Sequence, residues 1–340
     1  MSTTQISDLI TPEVWINYMV EKFPEQLALL TGGLLAAPPE QVVKQMNAGG
    51  RLINMPFWDD LTRNEPNVMS DDDTTEAVPD KVTADKDQAV KHYLHKSWSA
   101  MDLAGMLATG SAGDPVQHVL MMMGGWWAYA LQQSVIKTCI GLFADNAAND
   151  SSDMIYSIYS DAATPAASTK ISAAAVDQCR LTMGDRLDQL TAISMHSSVY
   201  GTLLANDAIS FIQESQLPGR IPIFMNKRVF VDDDHPVTVG TNSDNYTCFM
   251  YGAGAFGYHD AVMGPEQPFE RERKPAKGNG GGQTIVHTRK HLLMHPRGIK
   301  WTDSVIAGQG PTWTELQNAS NWDRVFVRKN IRLAQLNVNI

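Results

Sequence analysis

Residues 111–146, SAGDPVQHVLMMMGGWWAYALQQSVIKTCIGLFADN, constrain the fold more than any other stretch of this chain. Asp114 suits an N-cap, Pro115 the first helical position, and Gln117 the third position of a capping box. From 115 to about 144 nothing interrupts a helix except Gly124-Gly125, so the spacing predicts a rod of roughly 45 Å. Each glycine costs about 1 kcal/mol relative to alanine, which makes Gly124 and Gly125 the expected bend, or a place where another backbone comes close. The apolar run at 119–131 ends at Gln132-Gln133, short of the roughly 18–20 residues a membrane span needs. A helix this long and sticky must be covered by protein along its length.

The chain has 340 residues, 43% hydrophobic and 19% charged, enough apolar content for one large or two medium domains. Its net charge of −10 argues against nucleic-acid binding through bulk electrostatics. Cys139, Cys179 and Cys248 are odd in number and contain no CxxC pair. They read as buried thiols in a reducing compartment rather than as a disulfide or zinc framework. The N-terminus, MSTTQISDLITPEVW, lacks the basic and apolar regions of a secretory signal, and a soluble, cytoplasmic chain is expected.

Segments of different texture follow one another. Trp15, Tyr18, Met19 and Phe23 have helical spacing within 11–30, and Pro38-Pro39 closes that region. Residues 51–57 read as a strand, and 90–101 as a second one returning from an acidic excursion. Residues 59–87 hold ten carboxylates against three cations, about −7 on a segment too polar for a core. After 146, two helices are expected at 172–186 and 194–205 around a short strand at 190–193. Strands dominate past Pro218-Gly219, including IPIFMNKRVFVDDD, NYTCFMYGAGAFGYHDAV and QTIVHTRKHLLMHPRGIKW, and 322–340 alternates again. This order is α+β, without the regular βαβα alternation of a doubly wound sheet.

Motifs with catalytic potential fail on context. Gly252, Gly254 and Gly257 spell GxGxxG after a strand, but Gly264, Pro265 and Pro268 forbid the helix that would receive a pyrophosphate. Close packing of strands accounts for those glycines better. His287, His291 and His295 lie four apart; on a strand that spacing is about 13 Å, too far to share one zinc ion. Asp232, Asp233, Asp234 and His235 read as an exposed acidic turn before Pro236. KGNGGGQ lacks the trailing lysine and hydroxyl of a phosphate loop. No catalytic, cofactor or metal residue is assigned.

The order of the segments carries more. The strand RLINMPFWDDL entering the excursion, the return VKHYLHKSWSAMDLA, the turn SAGDPVQHV into the long helix and the late run TRKHLLMHPRGIKW together resemble the major capsid proteins of tailed bacteriophages, the Hong Kong 97 fold family. The resemblance covers nearly the whole chain. It implies an α+β subunit with an N-terminal arm (1–48), an extended loop or E-loop (49–101), a spine helix with the first part of a peripheral domain (102–150), an axial domain (151–264), peripheral return strands (265–305) and C-terminal strands packing on both (306–340). It implies no enzyme and no cofactor, but a structural protein of the virion capsid. Such a protein assembles in the host bacterial cytoplasm, as hexamers and pentamers of itself, into an icosahedral shell around double-stranded DNA bound without sequence specificity.

Separate scaffolding, portal and decoration proteins are the further candidate partners, and no membrane is involved. A scaffolding segment cleaved from the N-terminus is not expected, nor is a covalent cross-link between subunits. The charges fit this picture. Residues 268–300 carry eight cations against two carboxylates, about +6. The expected contact sets Asp71, Asp72, Asp73 and Glu76 of the loop against Arg271, Arg273, Lys274 and Lys277 of a neighbour, giving orientation more than affinity. Two rivals are an encapsulin-type compartment of the same fold, and a soluble metal-dependent enzyme using His287, His291 and His295.

Overall fold

The computed structural model describes residues 33–61, 63–69, 71–74, 76–108, 115–213, 220–261 and 268–340. The helix expected at 11–30 and the cap at Asp114 lie outside them. In chain order the strands are β1 (Leu35–Ala36), β2 (Leu52–Trp58), β3 (Ala84–Met101), β4 (Ile155–Ser157), β5 (Leu190–Met195), β6 (Ser210–Gln213), β7 (Arg220–Phe224), β8 (Lys227–Val231), β9 (Val237–Thr238), β10 (Asn245–Gly252), β11 (Phe256–Asp260), β12 (Phe269–Lys274), β13 (Gln283–Pro296), β14 (Ile299–Trp301), β15 (Trp322–Arg324) and β16 (Leu333–Val338).

Two large sheets share fourteen of them, and β14 pairs with β15 in a small third sheet. One runs β1-β11-β13-β3-β2, with β12 also pairing to β13. The other runs β4-β16-β10-β5-β8-β7-β6, with β9 on β10. One core belongs to the second sheet, and a larger one is shared by both. Ile171, Val176, Cys179, Ile193, Val199, Met250 and Leu336 belong to the core of the second sheet and its helices. Val135, Ile136, Cys139, Leu142 and Phe143 of the long helix join Leu292, Met294, Trp301, Trp322 and Leu333 in the larger core between the sheets. All three thiols are buried, and burial pushes each up to about 12, so they behave as small apolar groups.

The long helix is one element, Pro115–Asn149, a turn longer than its apolar pattern indicates. Its end is built by side chains. Asn146 Oδ1 accepts from Met154 N at 3.0 Å, and Asn146 Nδ2 donates to Asp153 at 2.8 Å. Arg324 pairs with both Asp150 and Asp153, fastening this end to β15. From Ala130 to Asn146 the helix is buried almost all round, and Gly141 explains how a neighbour comes so close. A Cβ there would stand 2.0 Å from Leu316 O and 2.7 Å from Trp322 Nε1, where Trp322 donates to Leu316 O at 2.8 Å.

Several sequence expectations shift in detail. The return strand begins at Ala84, because its outer half pairs with β2 (Leu52↔Val90 to Trp58↔Ala84) and its inner half with β13 (Leu293↔Lys91 to Gln283↔Met101). The first of the two expected helices is only Ala173–Leu181, capped by Ser172, because the left-handed Gly184 and a 3-10 turn break it. Only Leu333–Val338 of the last segment is a long strand; a turn at Arg328–Asn330 buries the Arg328 guanidinium, which donates to Ile331 O.

The acidic turn is a correction. Asp232 is buried, not exposed, and accepts from Gln132 of the long helix, while Asp234 accepts from Gln133. The two glutamines that close the apolar run dock the second sheet onto the helix. Gly252 fits the close-packing account of GxGxxG, since a Cβ there would meet Gln189 O at 2.5 Å.

Candidate interaction surface

β2 and β3 leave the first sheet as a two-stranded ribbon. Eighteen residues of β3 at about 3.3 Å each make a strand of roughly 60 Å. Beyond Trp58↔Ala84 the pairing is continued by Asp59 N on Thr83 O at 3.0 Å, and the tip spans residues 60–82. Trp58, Val68 and Met69 are 74%, 91% and 97% exposed, and Leu61, Val78 and Val82 are exposed as well. Two strands alone are marginal in water, and apolar side chains this bare need a partner. Asp71, Asp73 and Glu76 are exposed beside them, while Asp72 accepts from Thr74 N at 3.0 Å in a local turn.

The base of the ribbon is held as firmly as its tip is bare. Asp87 is buried and accepts from His295 Nε2 at 2.8 Å and from Gly298 N at 3.0 Å. Burial alone would raise its carboxyl; the His295 imidazole and the three hydrogen bonds from His295, Gly298 N and Gln88 N together hold it below the usual range. The buried Lys91 ammonium donates to Ala48 O at 2.6 Å, Gln88 to Trp301 O at 3.0 Å, and Phe57 packs edge-on against Phe326 at 4.8 Å. His92 is fully buried, and burial lowers it to about 4, so it stays neutral through ordinary pH.

The basic hairpin β12–β13 is less positive than its composition. Five of its eight cations already have carboxylate partners in the same chain: Arg273 with Asp102, Lys274 with Glu272, Arg289 with Glu270, Lys290 with Asp260 and Lys300 with Asp323. Of the four cations expected to meet the loop, Arg271 and Lys277 are exposed and make no ion pair among the described residues. Counting residues along a strand cannot see such cross-strand pairs. The turn 275–282 reverses direction through left-handed Gly278, Asn279, Gly280 and Gly282.

The three histidines of β13 go to different partners. His287 meets His95 and Glu272, His291 packs edge-on against Tyr93, and His295 bonds Asp87. Among the described residues no group of three or more His, Cys, Asp or Glu is placed to hold a metal ion. No helix of the described residues is long and apolar enough to cross a membrane.

The first half of the long helix is the remaining open surface. Trp126 and Trp127 fasten it to the first sheet: Trp126 stands edge-on to Trp98 at 5.5 Å beneath Lys96, and Trp127 Nε1 donates to Thr288 Oγ1 at 3.1 Å. The opposite side carries Met121, 70% exposed, with Gly124 and Gly125. A Cβ on either glycine would meet nothing within 4 Å, so no close approach among the described residues requires them. The helix runs unbroken through both.

A long bare ribbon on a firmly held base and an open helix face, beside well-buried cores, describe a subunit with surfaces left over for copies of itself. Known proteins bear this out. The family model described as "Major capsid protein 13-like" matches residues 36–331. The major capsid protein of Bacillus phage SPP1 is 36% identical over 341 residues, covering 98% of each chain. Among solved structures, the capsid of Ralstonia phage GP4 aligns over 99% of this chain and 98% of its own, with 11% identity and a TM-score of 0.61. The capsid of cyanophage Pam1 aligns over 97% and 96%, with 9% identity and a TM-score of 0.56. At such identities these structures speak for the fold, which is the Hong Kong 97 type that the segment order resembles. By sequence and by fold together, the chain belongs to the Gp13-like family of phage major capsid proteins.

Proposed function

We propose that this chain assembles with copies of itself, as hexamers and pentamers, into an icosahedral shell that encloses double-stranded DNA without reading its sequence. The bare tip of the β2–β3 ribbon on its rigid base carries this reading: the described residues provide no cover for Trp58, Val68 and Met69, which supports another subunit as their cover. In this arrangement residues 49–101 act as the extended loop, 115–149 as the spine, 151–264 as the axial lobe, 265–305 as the return of the peripheral lobe and 306–340 as C-terminal strands closing both. The acidic loop approaches a neighbour's hairpin, with Asp71, Asp73 and Glu76 facing Arg271 and Lys277. Arg273 and Lys274, already paired in their own chain, contribute less. Gly124 and Gly125 let the spine bend as the shell changes size. Assembly takes place in the host cytoplasm, with scaffolding, portal and decoration proteins as separate chains.

The −10 charge suits a container whose wall must not hold its DNA tightly. An encapsulin-type compartment would serve a different cargo, and the 36% identity to a phage capsid protein favours DNA. Electron microscopy of the purified protein will show closed shells, and particles from infected cells will contain DNA. Small oligomers only, or shells filled with a cargo enzyme, would overturn the reading. Reversing Asp71, Asp73 and Glu76 to lysine leaves the subunit folded but lowers shell yield and its sensitivity to salt; unchanged yield and salt response would remove the charge pairing while leaving the shell.

A further inference from the structure

On the face of the first sheet turned away from the long helix, three side chains from three neighbouring strands form one chain of hydrogen bonds. His95 of β3 places Nε2 3.1 Å from Nδ1 of His287 on β13. The other nitrogen of His287, Nε2, lies 3.1 Å from Oε2 of Glu272 on β12. The two imidazoles are tilted by only 28° with centroids 5.3 Å apart, so they meet edge to edge through their nitrogens. His95 is exposed and His287 partly so, and water reaches both.

The geometry fixes how many protons this chain holds. With none added, Glu272 accepts from His287 Nε2–H, and His287 Nδ1 accepts from His95 Nε2–H. One added proton keeps both bonds: His287 becomes a cation, still donating to Glu272, and its Nδ1–H now donates to a bare His95 Nε2. A second proton leaves two N–H groups and two positive charges facing each other at 3.1 Å. We propose that Glu272, His287 and His95 form a proton-gated clamp that holds the inner half of β3 on β13, closed with zero or one added proton and opened between His95 and His287 by the second, while His287 stays bonded to Glu272.

The surrounding charges set the balance. Arg289, directly opposite His95 in the ladder, pairs with Glu270, which sits opposite His287. Lys274 pairs with Glu272, and β11 supplies Asp260 to Lys290. Lys96 points to the other face, over Trp126, while Tyr93 and His291 lie further along the same face. Burial, His287 and Arg289 all disfavour a charge on His95, which makes His95 the site of the second, bond-breaking proton. With only 3.1 Å between their nitrogens, a charge on one ring acts directly on the other. The strand they hold is the return arm of the ribbon, but the clamp belongs to a single subunit and is tested without assembly.

The experiment is hydrogen exchange of the full-length subunit from about pH 7.5 to about pH 5, corrected for intrinsic rates, comparing wild type with His95→Gln. Glutamine's amide donates to His287 Nδ1 as the imidazole did and takes no proton. In wild type, amides of residues 94–98 exchange about fivefold faster at the acid end, the factor that one lost hydrogen bond implies. In His95→Gln they stay protected throughout. No acid-dependent rise in wild type, an equal rise in the variant, or loss of protection in the variant already at neutral pH would each overturn the clamp. Imidazole nitrogen shifts give a second readout: two coupled steps support it, and two independent single-site curves contradict it.

Discussion

The two halves of the long helix have similar apolar content and opposite fates. The second half, from Ala130, is closed in by both sheets, by Trp313 and Trp322, and by the Gln132 and Gln133 bonds to the Asp232–Asp234 turn. The first half is fastened on one side only, through Trp126 and Trp127, and shows Met121, Gly124 and Gly125 to the outside. The same contrast separates the base of the extended ribbon from its tip. One region of each pair has its partners among the described residues; the other does not, and on the proposed reading it finds them in another subunit. Similar composition therefore says little about burial until the neighbours are known.

The contrast is sharpest in the core. Phe143→Ala removes a fully buried ring stacked 5.5 Å from Phe249 and is expected to cost about 3–5 kcal/mol of subunit stability. Met121→Ala changes subunit stability by less than about 0.5 kcal/mol, so its effect appears only in shell yield. Urea titration of unassembled protein checks both, and comparable losses in the two variants would erase the distinction between the halves.

Acid probes each region through one buried histidine, His92 under the ribbon and His235 beside Phe249, both lowered to about 4 by burial. A histidine kept neutral in the fold binds its proton more readily when unfolded. Stability is therefore full above the unfolded value near 6.5 and falls as pH drops toward 4, by up to about 3 kcal/mol for each ring. Thermal melts across that window will show the loss. His92→Gln removes part of the slope, and a slope unchanged in that variant would mean the ring takes its proton equally well folded and unfolded.

Glycine supplies the finest comparison, because the same substitution on one helix should act with opposite signs. Gly141→Ala forces a methyl into Leu316 O and destabilises the subunit by about 1–3 kcal/mol. Gly124→Ala and Gly125→Ala meet nothing and stabilise the helix by up to about 1 kcal/mol each. If these two glycines let the spine bend, the stabilised variants will assemble but fail to change shell size. Normal size change in the double variant would leave their presence to some other contact.

The long helix, the ribbon, the strand character of the histidine run and the architecture that these imply could all be read along the chain. Each depends on neighbours in sequence: a periodicity, an uninterrupted length, a stretch too polar to be a core. The acidic turn and the basic hairpin could not be read that way. Asp232 is buried because Gln132, a hundred residues earlier, meets it, and four cations of 268–300 pair with carboxylates on other elements. The Glu272–His287–His95 chain is invisible for the same reason, since 192 positions separate its two histidines.

The sequence by itself determined the elements and their order, because helix length, strand alternation and the acidic excursion are local properties of covalent spacing and solvation. Only the tertiary structure decided which charges remain unpaired, which half of the helix is covered and which glycines are held by contact. Those depend on side-chain atoms meeting within a few ångströms, and the pairing register that brings them together is a property of the whole fold.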